Sequence, residues 1–229
     1  MRPRFRLSAR HRNCQGRLRV LAAGTGGRRR IMCGRYSLTE SPDTLKIRFR
    51  VRGVPSFAPT VDWRPTNLAP IVRRSPESPE SECVLARWGL VPPWARDLKF
   101  GAHCINARAE TIATAPSFRS AFRHRRALIP LNAFYEWAGE VGHKTKYRVT
   151  VPDAEIFAVA GLWERWVDKE TGEVADTYTI ITTPANDALA PIHDRMPVIL
   201  RRDDEEAWLS RGGAELLVPW AGATRVMPV

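Results

Sequence analysis

Acidic residues are absent from the first 31 positions of the sequence. Ten arginines lie there and give residues 1–31 a charge of +10, whereas residues 32–229 carry 26 basic and 24 acidic side chains, a net +2. So abrupt a change in charge marks a boundary. We expect an Arg-rich leader, residues 1–31, that is disordered, removed or included through a start codon assigned too far upstream, followed by one domain, residues 32–229.

The sequence also lacks long apolar runs and metal-binding patterns. No stretch approaches the roughly 18 apolar residues of a transmembrane helix, so no membrane partner is expected. The four cysteines form no C-x-x-C pair, and the five histidines show no zinc-like spacing. We therefore predict no metal, no cofactor and a reducing, cytoplasmic location. A monomer is the default expectation.

Many short strand patterns with a few helices between them predict the fold class. A helix-start signal, Thr39-Glu40-Ser41-Pro42, predicts a helix through about Phe49, and the spacing predicts further helical pieces over 117–126, 186–190 and 203–209. Residues 53–67 are typical of an irregular loop, and residues 170–173 of a hairpin tip. The prediction is an α+β domain with a curled, barrel-like mixed sheet and flanking short helices.

The segment Met32-Cys33-Gly34-Arg35-Tyr36 is typical of a chain beginning. A cysteine at the first position has an α-amine and a thiol on one carbon skeleton, with reference pKa values of about 7.7–8.0 and about 8.5. Both nucleophiles are therefore partly available at neutral pH, and together they can close a five-membered ring on an aldehyde. The alternative for Cys33 is a buried small residue, which is the usual role of a free cysteine.

Six segments resemble the SOS response-associated peptidase family, whose members crosslink to abasic sites in single-stranded DNA. They occur in the family's order and span nearly all of residues 32–229: residues 32–36, 67–70, 87–94, 106–111, 134–137 and 193–197. The resemblance implies a thiazolidine link from Cys33 to the ring-opened sugar, self-removal of the preceding residues and a role in the DNA damage response. Thr66 and Ala133 depart from the family pattern and affect only loop shape.

Several polar residues are expected to act with Cys33. Glu136 lies among aromatic residues, where burial would raise the pKa of a carboxyl group and suit it to proton transfer, although strand alternation alone also allows a surface position. A lone histidine is more often structural, but the resemblance makes His193 a catalytic acid that helps to unmask the aldehyde. Asn106 and Arg108 share one face of an extended segment and suit a sugar oxygen and a phosphate.

The remaining predicted contacts are to DNA. Glu110 either orients Arg108 or forms an internal salt bridge. Arg35 suits a phosphate, Asn67 fixes the active-site backbone, and Arg195 resembles a family phosphate contact, with an ordinary salt bridge as the alternative.

Aromatic platforms for bases are expected in the loops that contain Pro. Trp88 and Trp94 are better candidates than Trp63, and at least one of the three is expected to be a core residue. A basic run lines the DNA path or is a solvated helix face; it comprises Arg119, Arg123, Arg125 and Arg126.

Two rival functions are compatible with the same residues. One is a cysteine peptidase that acts on its own N-terminus or on other peptides, with Cys33, Glu136 and His193 as nucleophile and acid–base groups. The other is a module that binds single-stranded or modified DNA without a covalent bond. Dependence on an aldehyde separates covalent capping of abasic sites from both rivals.

Overall fold

The computed structural model describes residues 34–140, 142–210 and 213–229. Within these ranges three α-helices are α1 (Pro42–Phe49), α2 (Arg119–His124) and α3 (Glu205–Ser210). The strands are β1 (Tyr36–Leu38), β2 (Thr60–Trp63), β3 (Leu68–Arg74), β4 (Ser81–Trp88), β5 (Asn106–Arg108), β6 (Arg126–Leu131), β7 (Ala133–Glu140), β8 (His143–Thr150), β9 (Phe157–Val167), β10 (Val174–Pro184), β11 (Arg195–Pro197) and β12 (Arg225–Pro228).

Five strands close into a barrel. β4, β3, β6, β9 and β10 follow one another as antiparallel neighbours, and β10 returns to β4 through a parallel pairing that matches Tyr178 with Trp88. Beyond that point β5 lies beside β10 on one edge and β11 on the other. The predicted barrel-like mixed sheet with flanking short helices is confirmed.

Glycine at position 161 allows the barrel to close tightly. An added Cβ there would meet the Ile129 side chain and the Thr179 carbonyl oxygen at 2.8 Å each. Since real Cβ atoms do not approach other heavy atoms so closely, any larger residue at position 161 would push β9 away from both of its neighbours.

A second, five-stranded antiparallel sheet packs on the barrel in the order β12, β8, β7, β1, β2. Tyr36 of β1 and Tyr178 of β10 share a buried hydrogen bond of 2.8 Å between their hydroxyl groups. The same two residues belong to one hydrophobic core that draws on both sheets. The two sheets therefore form one domain rather than two.

Charged side chains close one end of the barrel. Arg73 donates to Glu82 at 2.8 Å and to Asp176 at 2.9 Å, and its guanidinium carbon lies 3.9 Å from the ring centre of Trp163. Burial alone would raise the pKa of Asp176, but hydrogen bonds and charges from Arg165 and Arg73 outweigh it and lower that pKa. Asp176 lies near the start of β10, so these charged side chains mark the end of the barrel where β10 begins. The loops described below lie at the opposite end.

Local signals explain α1. The Ser41 hydroxyl accepts from the Thr44 amide at 3.2 Å, Pro42 begins the helix, and Arg50 ends it with φ of +52°.

Two other predicted helices differ from the structure. The predicted helix over 117–126 is shorter, Arg119–His124, and residues 186–190 form turns instead of a helix. No helix in the described ranges is long and apolar enough to cross a membrane.

Candidate functional site

Cys33 lies outside the described residues, as does the leader, and the described part of the site consists of the residues around Cys33. Gly34 is the first residue that the structure describes. Tyr36 pairs with Phe134, and the Tyr135 amide donates to the Arg35 carbonyl oxygen at 3.0 Å. The chain that follows Cys33 therefore runs antiparallel to the part of β7 that contains Tyr135 and Glu136.

Glu136 has a buried carboxyl group. Its side chain is 2% exposed, on the face of β7 that also carries the core residue Phe134. It stands opposite Tyr147 of β8. A solvated surface position for Glu136 is thus excluded. Its carboxyl group is shielded from bulk water.

β5 presents Asn106 and Arg108 on one side of a strand. The two residues pair with Ile180 and Thr182 of β10, and Ala107 between them is fully buried. Arg108 is exposed and Asn106 half-buried. The extended conformation and shared face expected from the sequence are present, which leaves the guanidinium group open to a ligand.

His193 lies in the turn between β10 and β11 and is 4% exposed. Its Nδ1 accepts a hydrogen bond of 3.0 Å from the Arg195 amide, so the neutral ring carries its proton on Nε2. The Asp194 carboxylate is 3.1 Å from the same Nδ1 and can accept a hydrogen bond from it only when Nδ1 carries a proton. Because the Asp194 side chain is largely solvent-exposed, water screens its charge, and the buried hydrogen bond from the Arg195 amide sets the tautomer.

Arg195 is held by protein groups. Its guanidinium group makes two hydrogen bonds to the Glu110 carboxylate, one of 2.9 Å, and donates to the Thr182 carbonyl oxygen at 2.6 Å. The hydrogen bond from Arg195 lowers the pKa of Glu110. Of the two expectations for Glu110, the structure shows the internal salt bridge, and the partner of Arg195 is Glu110 rather than a group near Asp194.

Trp88 and Trp63 are core residues. Trp88 is 1% exposed, its Nε1 donates to the Ile105 carbonyl oxygen at 2.9 Å, and its ring stacks on Tyr178 with centroids 6.1 Å apart. A ring enclosed in this way has no free face for a base, so the structure assigns Trp88 to packing. Trp63 ends β2, which corrects the expectation of an irregular loop over residues 53–67.

Trp94, by contrast, is 55% exposed. Its ring meets Phe100 edge to face with centroids 5.0 Å apart, and both line a surface pocket of about 440 Å³ together with Arg96, Asp97, Lys99 and His103. The sequence reasoning missed Phe100, because only the folded loop brings it to Trp94. Aromatic side chains beside cations can stack on a flat ring that has a negative charge nearby.

Two glycines hold the loop that carries Trp94. Gly89 has φ of +122°, and a Cβ there would meet the Gly101 carbonyl oxygen at 2.7 Å. The Gly89 amide also donates to Tyr178 at 2.8 Å. These contacts fix the loop against β10 at the open end of the barrel.

Asn67 and Arg35 are two further residues that the sequence assigns to DNA. Asn67 is exposed, and its Oδ1 accepts from the Arg64 amide at 2.9 Å, which shapes the turn between β2 and β3. The Arg35 guanidinium group lies 5.6 Å from the Trp137 ring centre and 3.5 Å from Asp62. Both residues are accessible at the surface, as a contact to DNA requires.

The basic run on and after α2 divides into two parts. Arg119 and Arg123 project from the helix, whereas Arg125 donates to the buried Glu164 at 2.7 Å and Arg126 stacks 5.4 Å from the Trp208 ring centre. The last two arginines hold α2 and β6 in place, and this leaves Arg119 and Arg123 as a solvated face.

Cys83 and Cys104 are buried free thiols. Burial raises the pKa of Cys83 to about 12 and also raises the pKa of Cys104. At neutral pH neither is a reactive thiolate. Among the described residues, therefore, no cysteine is suited to act as a nucleophile.

Comparison with known proteins places the chain in one family. The SOS response associated peptidase (SRAP) family matches residues 32–228. The Abasic site processing protein YoqW of Bacillus subtilis (strain 168) is 40% identical over 185 residues, which is 78% of this chain and 80% of YoqW. The Abasic site processing protein HMCES of Xenopus tropicalis is 27% identical over 223 residues, covering 79% and 67%.

Solved structures share the fold. A crystal structure of a protein from Bacteroides thetaiotaomicron has a TM-score of 0.75 and 30% identity over 86% of this chain and 92% of that one. A protein from Bordetella bronchiseptica gives a TM-score of 0.73 at 28% identity, covering 86% and 99%. With a match that extends from Met32 almost to the C-terminus, the chain belongs to the SOS response associated peptidase (SRAP) family.

Proposed function

We propose that this protein caps abasic sites in single-stranded DNA through a thiazolidine at Cys33, once the residues before Cys33 are removed. One observation carries the proposal: the register of β1 and β7 leads the chain that follows Cys33 past the buried Glu136. The relatives' name, abasic site processing protein, supports the substrate. Covalent capping would protect the strand from cleavage during the DNA damage response, with little or no turnover.

The chemistry needs two bonds to the aldehyde carbon C1′. The Cys33 amine attacks C1′, a C–N bond forms, and water leaves to give an imine. The thiol then adds to the same carbon, a C–S bond forms, and the sulfur's proton passes to nitrogen. Glu136 carries the protons for the amine and the departing hydroxyl group, which a buried carboxyl group can do without competition from solvent.

His193 unmasks the aldehyde. With Nδ1 accepting from the Arg195 amide, the neutral ring has its N–H on Nε2, and that N–H can donate a hydrogen bond to the ring oxygen of the closed sugar as the ring opens. Asn106 and Arg108 would hold a sugar oxygen and the adjacent phosphate, and Arg35 a second phosphate. The same acid–base groups would serve the removal of residues 1–32 by the Cys33 thiol.

Intact mass spectrometry tests the proposal directly. The purified protein is weighed alone and after incubation with a single-stranded oligonucleotide that contains one abasic site. We expect a chain that begins at Cys33 and a heat-stable adduct that has lost one water. A chain that retains the leader and forms no adduct would contradict the mechanism, because Cys33 would then have an amide nitrogen in place of an amine.

Removing the Trp94 ring is expected to weaken DNA binding. If a base stacks there, Trp94→Ala loses about 1–3 kcal/mol, or roughly 5- to 150-fold in Kd. Fluorescence anisotropy with an undamaged oligonucleotide measures the loss. Trp94→Phe keeps an aromatic face and should recover most of the affinity; an equal loss in both variants would exclude stacking as the cause.

Glu110→Gln tests whether Arg195 positions His193 or binds DNA. If Glu110 and Arg195 hold the His193 turn, adduct formation should slow by up to about 100-fold, since small misplacements of a reacting group have effects of this order. DNA affinity should stay within about twofold of the parent, and the exposed Glu170→Gln variant serves as the control.

Tighter DNA binding with a steeper salt dependence would instead identify Arg195 as a phosphate ligand that Glu110 restrains.

The protonation of Glu110 sets the pH range for this test. Because the pKa of Glu110 is lowered, its carboxylate is charged above the ordinary carboxyl pKa and loses its charge only as the pH falls through the lowered value. The rates are therefore compared near neutral pH, where the parent's ion pair is intact.

A further inference from the structure

The outer face of the five-stranded sheet has a row of cations that the proposed chemistry does not use. Lys144, Lys146 and Arg148 alternate along β8 and so share one face, with about 6.8 Å between successive members. Arg225 of β12 joins them, because it pairs with Thr150, the next residue of that face. We call these four residues the β8 stripe.

The face of the stripe is the solvent face. Val149, on the opposite side of β8, is fully buried in the core that both sheets share. Lys144 and Arg225 are exposed, and Lys146 and Arg148 are half-buried. Among the described residues, none of the four forms an ion pair with an acidic side chain.

Aromatic rings lie beside the stripe. Tyr135 stands opposite Arg148 and Trp137 opposite Lys146, and the Lys146 ammonium is 3.9 Å from the Tyr135 ring centre. Arg35, which lies over Trp137, connects the stripe to the segment that follows Cys33. Cations therefore continue from the candidate site across the sheet, with the half-buried Trp137 ring beside them.

Charge supports a nucleic-acid partner. Asp62 lies near this face, where Arg64 and Arg35 bind it, and the charge of Lys146 also contributes to lowering its pKa. Since residues 32–229 carry a net charge of only +2, a face with four cations, none of which forms an ion pair within the described part of the chain, is a local concentration of positive charge. Such a row suits a polyanion whose charges repeat along a line.

The half-buried ring of Trp137 favours a single strand over a duplex, whereas Tyr135 is 5% exposed and lies beneath Lys146. Bases in a duplex are stacked on one another, whereas the unstacked bases of a single strand can contact aromatic side chains. We propose that the β8 stripe binds the phosphate backbone of the single-stranded flank that continues beyond the abasic site. This inference rests on the proposed function and extends its DNA footprint.

The test compares binding of undamaged single strands of two lengths, about 6 and about 20 nucleotides. In the double variant Lys146→Gln/Arg148→Gln, two phosphate contacts are lost. The slope of log K against log salt for the long strand should then become shallower by about 1.4, while the short strand loses much less affinity. A control with the same change in charge is Lys169→Gln/Arg201→Gln, on exposed positions elsewhere.

A second double variant guards against an effect on folding, because Lys146 packs on Tyr135. Lys144→Gln/Arg225→Gln alters the two exposed members and should reduce the slope in the same direction, with thermal unfolding unchanged. An unchanged slope in both variants, or a loss no larger than the control's, would overturn the proposal. A loss confined to oligonucleotides with a duplex flank would overturn the single-strand assignment.

Adduct formation, a separate measurement, tests the proposed function. If the unaltered protein formed no adduct with abasic DNA, covalent capping would be wrong, but a length-dependent loss in the stripe variants would still support a single-strand surface. If adducts formed and the stripe variants bound both lengths like the parent, capping would stand and the stripe would be refuted.

Discussion

Replacing Cys33 by alanine is expected to abolish the heat-stable adduct with abasic DNA and to leave an imine that borohydride can trap. Alanine at the new N-terminus keeps the α-amine, which can still condense with the aldehyde, but lacks the thiol that closes the ring. The variant is prepared with its chain beginning at position 33. Denaturing gel electrophoresis before and after heating, with and without borohydride, separates the imine from the ring-closed product.

Matched controls come from the buried cysteines. Cys83→Ala and Cys104→Ala remove thiols that are buried and whose pKa values are raised, so both variants should form the adduct like the parent. A heat-stable adduct in Cys33→Ala would show that the thiol is not needed. Loss of the borohydride-trapped species as well would point to the thiol, rather than the amine, as the first nucleophile.

Local signals in the sequence predict much of the fold. The Ser41-Pro42 helix start, the hairpin tip at residues 170–173 and the extended Asn106–Arg108 segment all depend on neighbouring residues, and each is present. β2 was missed because its pairing with β1 joins segments more than 20 residues apart. The parallel pairing of β10 with β4, which closes the barrel, likewise joins segments that lie far apart in the sequence.

In the candidate site, too, local features follow from the sequence, whereas burial and long-range contacts do not. Strand alternation left the exposure of the Glu136 side chain open, because burial depends on which face of the strand the second sheet turns to the core. Trp88 and Trp94 are both in a Pro-containing segment, and only the folded loop shows that one is enclosed and the other exposed. The bond between Glu110 and Arg195 joins residues 85 positions apart and has no local signal.

Glu136→Gln is expected to have the largest effect of any change that preserves the shape of the site. Glutamine has nearly the same volume but cannot accept and return a proton, and general acid–base catalysis contributes about 10²- to 10⁴-fold to a rate. We therefore expect adduct formation to slow by that factor while the Kd for undamaged single strands stays within about twofold. Single-turnover adduct formation and fluorescence anisotropy measure the two quantities.

Glu140→Gln is the matched control, because Glu140 lies at the end of the same strand and is exposed. It makes the same chemical change without altering a buried group, so it should leave the rate nearly unchanged. Equal losses of rate and affinity in Glu136→Gln would assign Glu136 to holding the structure or the DNA. A slower rate at undiminished affinity, with thermal unfolding like the parent's, is what proton transfer requires, since that step occurs only after the DNA is bound.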